Sequence, residues 1–162
     1  MSEHTDASKP MESAVKGMRF PVVTTIDRAG RLTSRPLTCA SVEQDRVWFL
    51  VDRSASWTSD LPEHPQVNLA FSDSDDGRYV TASGHAVLDT DRSRIDGLWN
   101  PGAEAFFPNG KDDPNVAALM VTVDEGEYWD GPSTSVGKVA ALVSTWIHRD
   151  PSRSGEHGRL AT

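Results

Sequence analysis

The sequence predicts a small antiparallel β-barrel of about six strands with short helices between them. Two observations lead there. β-rich runs with period-two alternation follow one another in hairpin order, across short turns rich in Gly, Asp and Ser. The run Val47 to Val51, V-W-F-L-V, is apolar at every position, as a strand covered on both faces would be. Closing the sheet into a barrel would remove its exposed edges.

The elements follow in order. Met11 to Lys16 can make a short lead-in helix, and Met18 to Asp27 is β-rich (F-P-V-V-T-T-I-D). Arg28-Ala29-Gly30 is a turn in which Gly30 is free to take positive φ, and Arg31 to Glu43 is read as one long second strand of the resulting hairpin. After Val47 to Val51, Ser56 to Glu63 is a short helix with Ser54 or Ser56 as its cap. Gln66 to Ser72 alternates Val67, Leu69 and Phe71, and Ser72 to Gly77 is a polar turn. Arg78 to Thr90 is the next strand, in which Gly84 signals a bulge or a close backbone approach. Asp91 caps a helix through Trp99, with Arg92, Ile95, Leu98 and Trp99 at helical spacing. Val116 to Val123 alternates and runs on towards Trp129, and Val136 to Ile147 is an amphipathic helix. Residues 1–10 and 148–162 read as disordered polar tails around a folded domain at 11–147.

Composition bounds the function. A chain of 162 residues suits one domain. The net charge of −8 argues against nucleic-acid and anionic-membrane partners, which need a basic surface. No apolar run approaches the length of a membrane span. The first ten residues hold no apolar segment of a secretory signal, and the single cysteine, Cys39, permits no internal disulfide. These points lead to the expectation of a reducing cytoplasm.

Little in the residues points to catalysis. The five histidines show no metal-ligand spacing, so no metal is expected, and His85 reads as a strand residue facing solvent or an interface. Cys39 reads as a buried small thiol. Asp112, Asp113, Glu127 and Asp130 read as turn-capping and solvated carboxylates. Neither a nucleophile elbow nor a phosphate-binding glycine loop is present, and no catalytic residue is assigned. Arg35 is the exception of interest. Period two groups it with Thr33, Leu37 and Cys39, and a guanidinium among small and apolar neighbours calls for an anion or a carboxylate partner. Ser54 and Ser56, at the start of the next helix, could lie near it and offer helix N–H groups to an anion. An ordinary ion pair is the competing reading. The block from Tyr79 to Trp129, with Trp99, Phe106, Phe107 and Trp129 among Gly/Pro turns, is either core or the wall of a site for a flat ligand.

The motifs T-T-I-D-R-A-G-R-L-T-S-R-P-L, V-W-F-L-V, H-P-Q-V-N-L-A-F, Y-V-T-A-S-G-H-A, L-W-N-P-G-A-E-A-F-F-P-N-G-K-D-D-P and E-Y-W-D run in order from about Phe20 to Trp146. Together they closely resemble the general stress protein family of FMN-binding split barrels, relatives of pyridoxamine 5'-phosphate oxidase. The resemblance implies a six-stranded split β-barrel, a homodimer, and FMN (or FAD) held at the dimer interface. It places Arg35 on the flavin phosphate, Pro36 and Leu37 along the ring, and the backbone of Val51 and Asp52 at the ring edge. Ser54, Ser56 and Trp57 fall in the phosphate segment, while Trp129, with Trp99 and Phe107, would come from the partner subunit. The family's S-x-K is absent. Counting back from Pro65 puts Trp57 at the lysine position; matching Ser54 to the family serine puts Ser56 there. The implied function is a flavin-binding general stress protein, read as a flavin-dependent oxidoreductase; the alternative is a non-enzymatic binding module, a carrier or sensor for a flavin or another flat ligand, with a degraded phosphate site. True pyridoxamine 5'-phosphate oxidase activity is not implied.

Overall fold

The structure, a computed structural model, describes residues 8–131 and 156–161. The helix predicted at Val136 to Ile147 lies outside these residues. The described chain is mainly β, with strands β1 (Lys9–Pro10), β2 (Val22–Ile26), β3 (Leu32–Pro36), β4 (Cys39–Glu43), β5 (Arg46–Asp52), β6 (Gln66–Asp73), β7 (Arg78–Asp89), β8 (Val116–Asp130) and β9 (Glu156–Ala161). The helices are short: α1 (Met11–Ala14), α2 (Ser56–Ser59), α3 (Arg92–Leu98) and a single 3-10 turn at Ala103–Ala105. None is long and apolar enough to cross a membrane.

The hairpin at β2 and β3 forms as predicted. Gly30 takes φ of 77° and donates its N–H to the Asp27 carbonyl at 2.8 Å. The Asp27 carboxylate accepts from the N–H groups of Ala29 and Arg31, both at 2.9 Å, which pins the turn.

The long strand predicted from Arg31 to Glu43 is instead two strands, and the break carries the chain from one end of the sheet to the other without a ladder between them. β3 ends at Pro36, which has no N–H to donate. The N–H of Leu37 then bonds the Pro21 carbonyl, and that of Cys39 bonds the Arg19 carbonyl. β4 goes on to pair with β5. The antiparallel order is therefore β3-β2-β6-β7-β8-β5-β4, so the two ends of the sheet are consecutive in the chain and joined through Leu37 and Thr38. Splitting one strand gives seven antiparallel strands from β2 to β8 where about six were expected.

β5 is covered on both faces, as its unbroken apolar run predicts. Val47, Phe49 and Val51 point into the main core with Leu69, Phe71, Leu119 and Val121. Trp48 packs outward against Ile95 and Leu98 of α3, and Val116 and Ala118 of β8 join that second cluster. α3 begins where predicted: the Asp91 carboxylate accepts the Ser93 N–H at 2.8 Å.

The ends of the chain depart from the prediction of polar tails. β9 pairs antiparallel with the far half of β8, and β1 pairs parallel with β9. β5 takes the edge of β8 from Val116 to Thr122, and β9 takes the same edge from Glu127 to Asp130. Leu160 of β9 is 6% exposed in the main core, and its side chain occupies the space where Gly126 has no Cβ. Leu160→Ala is expected to lower stability by about 2–3 kcal/mol, a fall of roughly 5–10 °C in Tm. A thermal melt that leaves Tm within one degree of wild type would show that β9 contributes nothing to the fold.

Candidate functional site

A groove of about 440 Å³ opens where the β3–β4 corner, the end of β5 and α2 meet the loop that follows α3. Pro36, Leu37 and Thr38 supply the corner, and Leu50, Val51 and Asp52 the strand end. Trp57 stands on α2. Asn100, Gly102, Ala103, Phe106 and Phe107 form the loop wall. Phe20 and Phe106 stand at the rim, each 67% exposed. A groove of this size, with largely apolar and flat walls, fits a planar ring system.

The α2 segment is built around Asp52. Its carboxylate accepts the Ser54 N–H at 2.8 Å and the Ser54 hydroxyl at 2.6 Å, and its carbonyl accepts the Ala55 N–H at 3.1 Å. The Ser54 hydroxyl and N–H hold the Asp52 carboxyl below its ordinary range, so it stays ionised near neutral pH. Neither predicted serine caps the helix. The N-cap is Ala55, which has no capping side chain, and Ser54 is engaged by Asp52. Thr58 secures the turn from behind, its hydroxyl donating to the carbonyls of Ala55 at 2.7 Å and Arg53 at 3.0 Å. Arg53 itself is tied to the residue before β8 through its N–H and the Asn115 carbonyl, at 2.9 Å.

Trp57 turns its ring to Arg35, whose guanidinium lies 4.5 Å from the ring centroid. Arg35 also donates to the Thr25 hydroxyl at 2.9 Å, to the Thr33 hydroxyl at 2.6 Å and to the Thr33 carbonyl at 3.2 Å. None of these partners carries a negative charge, and no ion pair to Arg35 occurs among the described residues. Burial alone lowers the tendency of its guanidinium to hold a proton, with no carboxylate acting against it. The ordinary ion pair considered from the sequence is thus not present there. Half-buried positive charge stands beside the groove, stacked on one of its walls.

Of the residues singled out from the sequence, Pro36, Leu37, Val51, Asp52, Trp57, Phe106 and Phe107 line the groove, Phe107 from the chain's own loop where the partner subunit was expected to supply it, and Arg35 reaches it through Trp57. Trp99 packs behind the loop wall, its ring 6.1 Å from that of Phe107. Ser54 and Ser56 are exposed and do not line it. Trp129 is absent from the groove of its own chain. It lies near the opposite end of β8 from Val116, which pairs with Asp52, and at about 3.3 Å per residue this is roughly 40 Å along the strand. There it stacks on His157 of β9, with centroids 4.9 Å apart and planes 7° from parallel. Phe20, Ala40, Leu50, Ala55 and Gly102 were not anticipated. Nothing local marks them, because the fold of the sheet is what brings them together.

The remaining polar residues behave much as their chemistry predicts. Asp113 organises a turn through the Asn115 N–H and the Asn109 amide, and Asp130 pairs with Lys9 at 2.6 Å. His85 is an exposed strand residue 3.3 Å from Asp124. Cys39 is partly buried against the main core, not fully buried, and this burial pushes its thiol up to about 11. At about pH 8 its thiolate is then rarer than that of an ordinary cysteine by roughly a hundredfold or more. Reaction of the folded protein with an aromatic disulfide reagent should be slowed by at least that factor. A rate equal to that of the urea-unfolded chain would refute the inert assignment.

A family model described as "Pyridoxamine 5'-phosphate oxidase like" matches residues 6–150, most of the chain. The chain belongs to this family. A solved general stress FMN/FAD binding protein from Xanthomonas citri is 30% identical with a TM-score of 0.63, over 75% of this chain and 86% of that one. A protein related to general stress protein 26 from Clostridium acetobutylicum gives a TM-score of 0.67 at 22% identity, covering 74% of this chain and 84% of that one. At that identity the likeness speaks for the fold: a split barrel of the pyridoxamine 5'-phosphate oxidase-like type. Protein bli-3 of Neurospora crassa is 28% identical over 153 residues, 88% of this chain and 73% of the relative. The family resemblance carried by the sequence motifs is thereby confirmed.

Proposed function

We propose that this chain binds a flavin, FMN in the first place, in the groove between the β3–β4 corner, α2 and the loop after α3. The observation that carries this reading is the pairing of a flat, apolar groove with a half-buried guanidinium that has no anionic partner among the described residues. It is supported by the likeness to a protein whose name states FMN/FAD binding. Pro36, Leu37, Trp57 and Phe107 bound the ring, and the backbone of Val51 and Asp52 meets its polar edge. Arg35 holds the phosphate, exchanging its threonine hydroxyls for a charged acceptor. The rim residues Phe20 and Phe106 are covered by a second copy of the chain, and Trp129 enters the site from that copy. The free Cys39 suits a reducing compartment such as the cytoplasm.

When bound, the flavin supplies hydride or single-electron chemistry, and the chain supplies orientation and exclusion of water. Asp52 is the one ionisable side chain lining the groove among the described residues, and it stays ionised. It can accept a proton or hydrogen bond but has none to give. This favours keeping the second reading, a flavin carrier or sensor that turns nothing over. Titration of the purified protein with FMN, FAD and riboflavin, followed by quenching of flavin fluorescence, tests the proposal. Saturable binding of FMN, tighter than riboflavin by about tenfold, is the expected result. No quenching at about 100 μM FMN, a Kd above which binding is worth less than roughly 5–6 kcal/mol, would end it. Bleaching of bound flavin by a nicotinamide donor then separates the oxidoreductase from the carrier.

A further inference from the structure

We infer that Arg92 is a positioning residue for the groove: it clamps the exit of the loop whose other end forms the groove wall. The loop runs through residues 99–115, between α3 and β8, and its regular structure is the one 3-10 turn at Ala103–Ala105. It carries Asn100, Gly102, Ala103, Phe106 and Phe107 into the groove. No strand ladder holds it; its own turn bonds, the Asn109 amide on Asp113, the Arg53 N–H on the Asn115 carbonyl and the groups that grip its ends do.

The entry is gripped by packing and by one amide. Trp99 lies against Phe107, and Asn100 turns back on itself, its amide donating to the Leu98 carbonyl and its oxygen accepting the Gly102 N–H at 3.0 Å. The exit is gripped by Arg92, on the first turn of α3. One Nη donates to the carbonyls of Lys111 at 3.1 Å and Asp113 at 3.2 Å, and the other to the Val116 carbonyl at 3.4 Å. A planar fork with several fixed donors can gather three carbonyls at once; an ammonium cannot match that geometry. Lys111 adds a weaker tie to Asp96 of α3, at 3.4 Å between two exposed groups. Arg92 therefore joins the helix to the end of the loop and to Val116, the first residue of β8, and the loop closes as a fixed-length arch over the groove.

The ligand side of this inference rests on the flavin reading; the clamp itself does not. Full-length wild type, R92A and R92K are compared in two measurements. Without ligand, hydrogen exchange of the loop amides, such as Phe107 and Gly110, should speed up by about tenfold in R92A, the loss of one charge-assisted clamp. R92K should restore little of it. The urea midpoint should scarcely move, because Arg92 is an exposed residue outside both cores. With ligand, FMN and riboflavin should weaken by the same factor of about three to ten, because the wall meets the ring that both share. Unchanged exchange in R92A would overturn the clamp. Faster exchange with unchanged affinity for both flavins would overturn the positioning role. If wild type binds neither flavin, the flavin reading falls and the exchange result alone decides the role of Arg92.

Discussion

Gly84→Ala should destabilise the protein by at least about 3 kcal/mol, enough to remove much of a small domain's stability. Gly84 sits in the middle of β7, paired with Val67 of β6 on one side and Val123 of β8 on the other. The ladder to β8 slips between Ser83 and Gly84, and the bulge drives the backbone of β8 against this residue. A Cβ at Gly84 would stand 1.9 Å from the Thr122 carbonyl oxygen, 2.9 Å from its carbon and 3.1 Å from the Val123 Cα. All three are backbone atoms of a strand paired on both sides, so none can swing away as a side chain would. The same change at Gly97 should act in the opposite direction. Gly97 is an exposed position of α3 with nothing within 4 Å of the new methyl, and alanine there should add about 0.5–1 kcal/mol. Urea unfolding of both variants reads the pair. Equal midpoints for Gly84→Ala and wild type would mean that the bulge is not rigid.

Arg35→Ala should weaken FMN by about tenfold to a hundredfold, the worth of a charge-assisted hydrogen bond, while riboflavin binding holds nearly constant. Only FMN carries the anion. The structure makes the comparison necessary, because Arg35 also supports its surroundings: it stacks on Trp57 and bonds both Thr25 and Thr33. If its role were only to prop up Trp57, truncation would loosen the groove wall for both ligands alike. Arg35→Lys separates the two effects further, since lysine keeps the charge and loses the fork. The FMN effect should shrink as salt rises, because the anion at the mouth of an open groove is screened. Equal losses for FMN and riboflavin would show that Arg35 is structural and that the phosphate lies elsewhere.

These two sites differ in how plainly the sequence announced them. Gly84 was legible as a bulge or close approach because glycine weakens the interior of a strand unless the backbone there needs the missing side chain. The hairpin turn at Gly30, the two-sided burial of β5 and the Asp91 cap were legible on similar grounds. Each follows from the conformational limits of a few neighbouring residues. Arg35 was legible as a charge in want of a partner, and several of the groove's walls were named by residue. The partner it took, the Trp57 ring, was not, because Trp57 reaches it through the fold rather than through the local pattern.

What the sequence by itself determined is therefore local: strand faces set by period two, turns set by Gly and Asp, and the kinds of side chain available to a groove. The tertiary structure alone decided the rest. It broke the expected long strand at Pro36, so that β3 and β4 stand at the two ends of one open sheet. It turned Ser54 onto Asp52 in place of capping α2. It drew Glu156–Ala161 from a polar tail into a strand beside β8, because the edge that β5 vacates still has backbone groups to satisfy and Leu160 fills the space over Gly126. Such choices depend on which distant backbone edge or cavity lacks a partner, and no window of neighbouring residues carries that information.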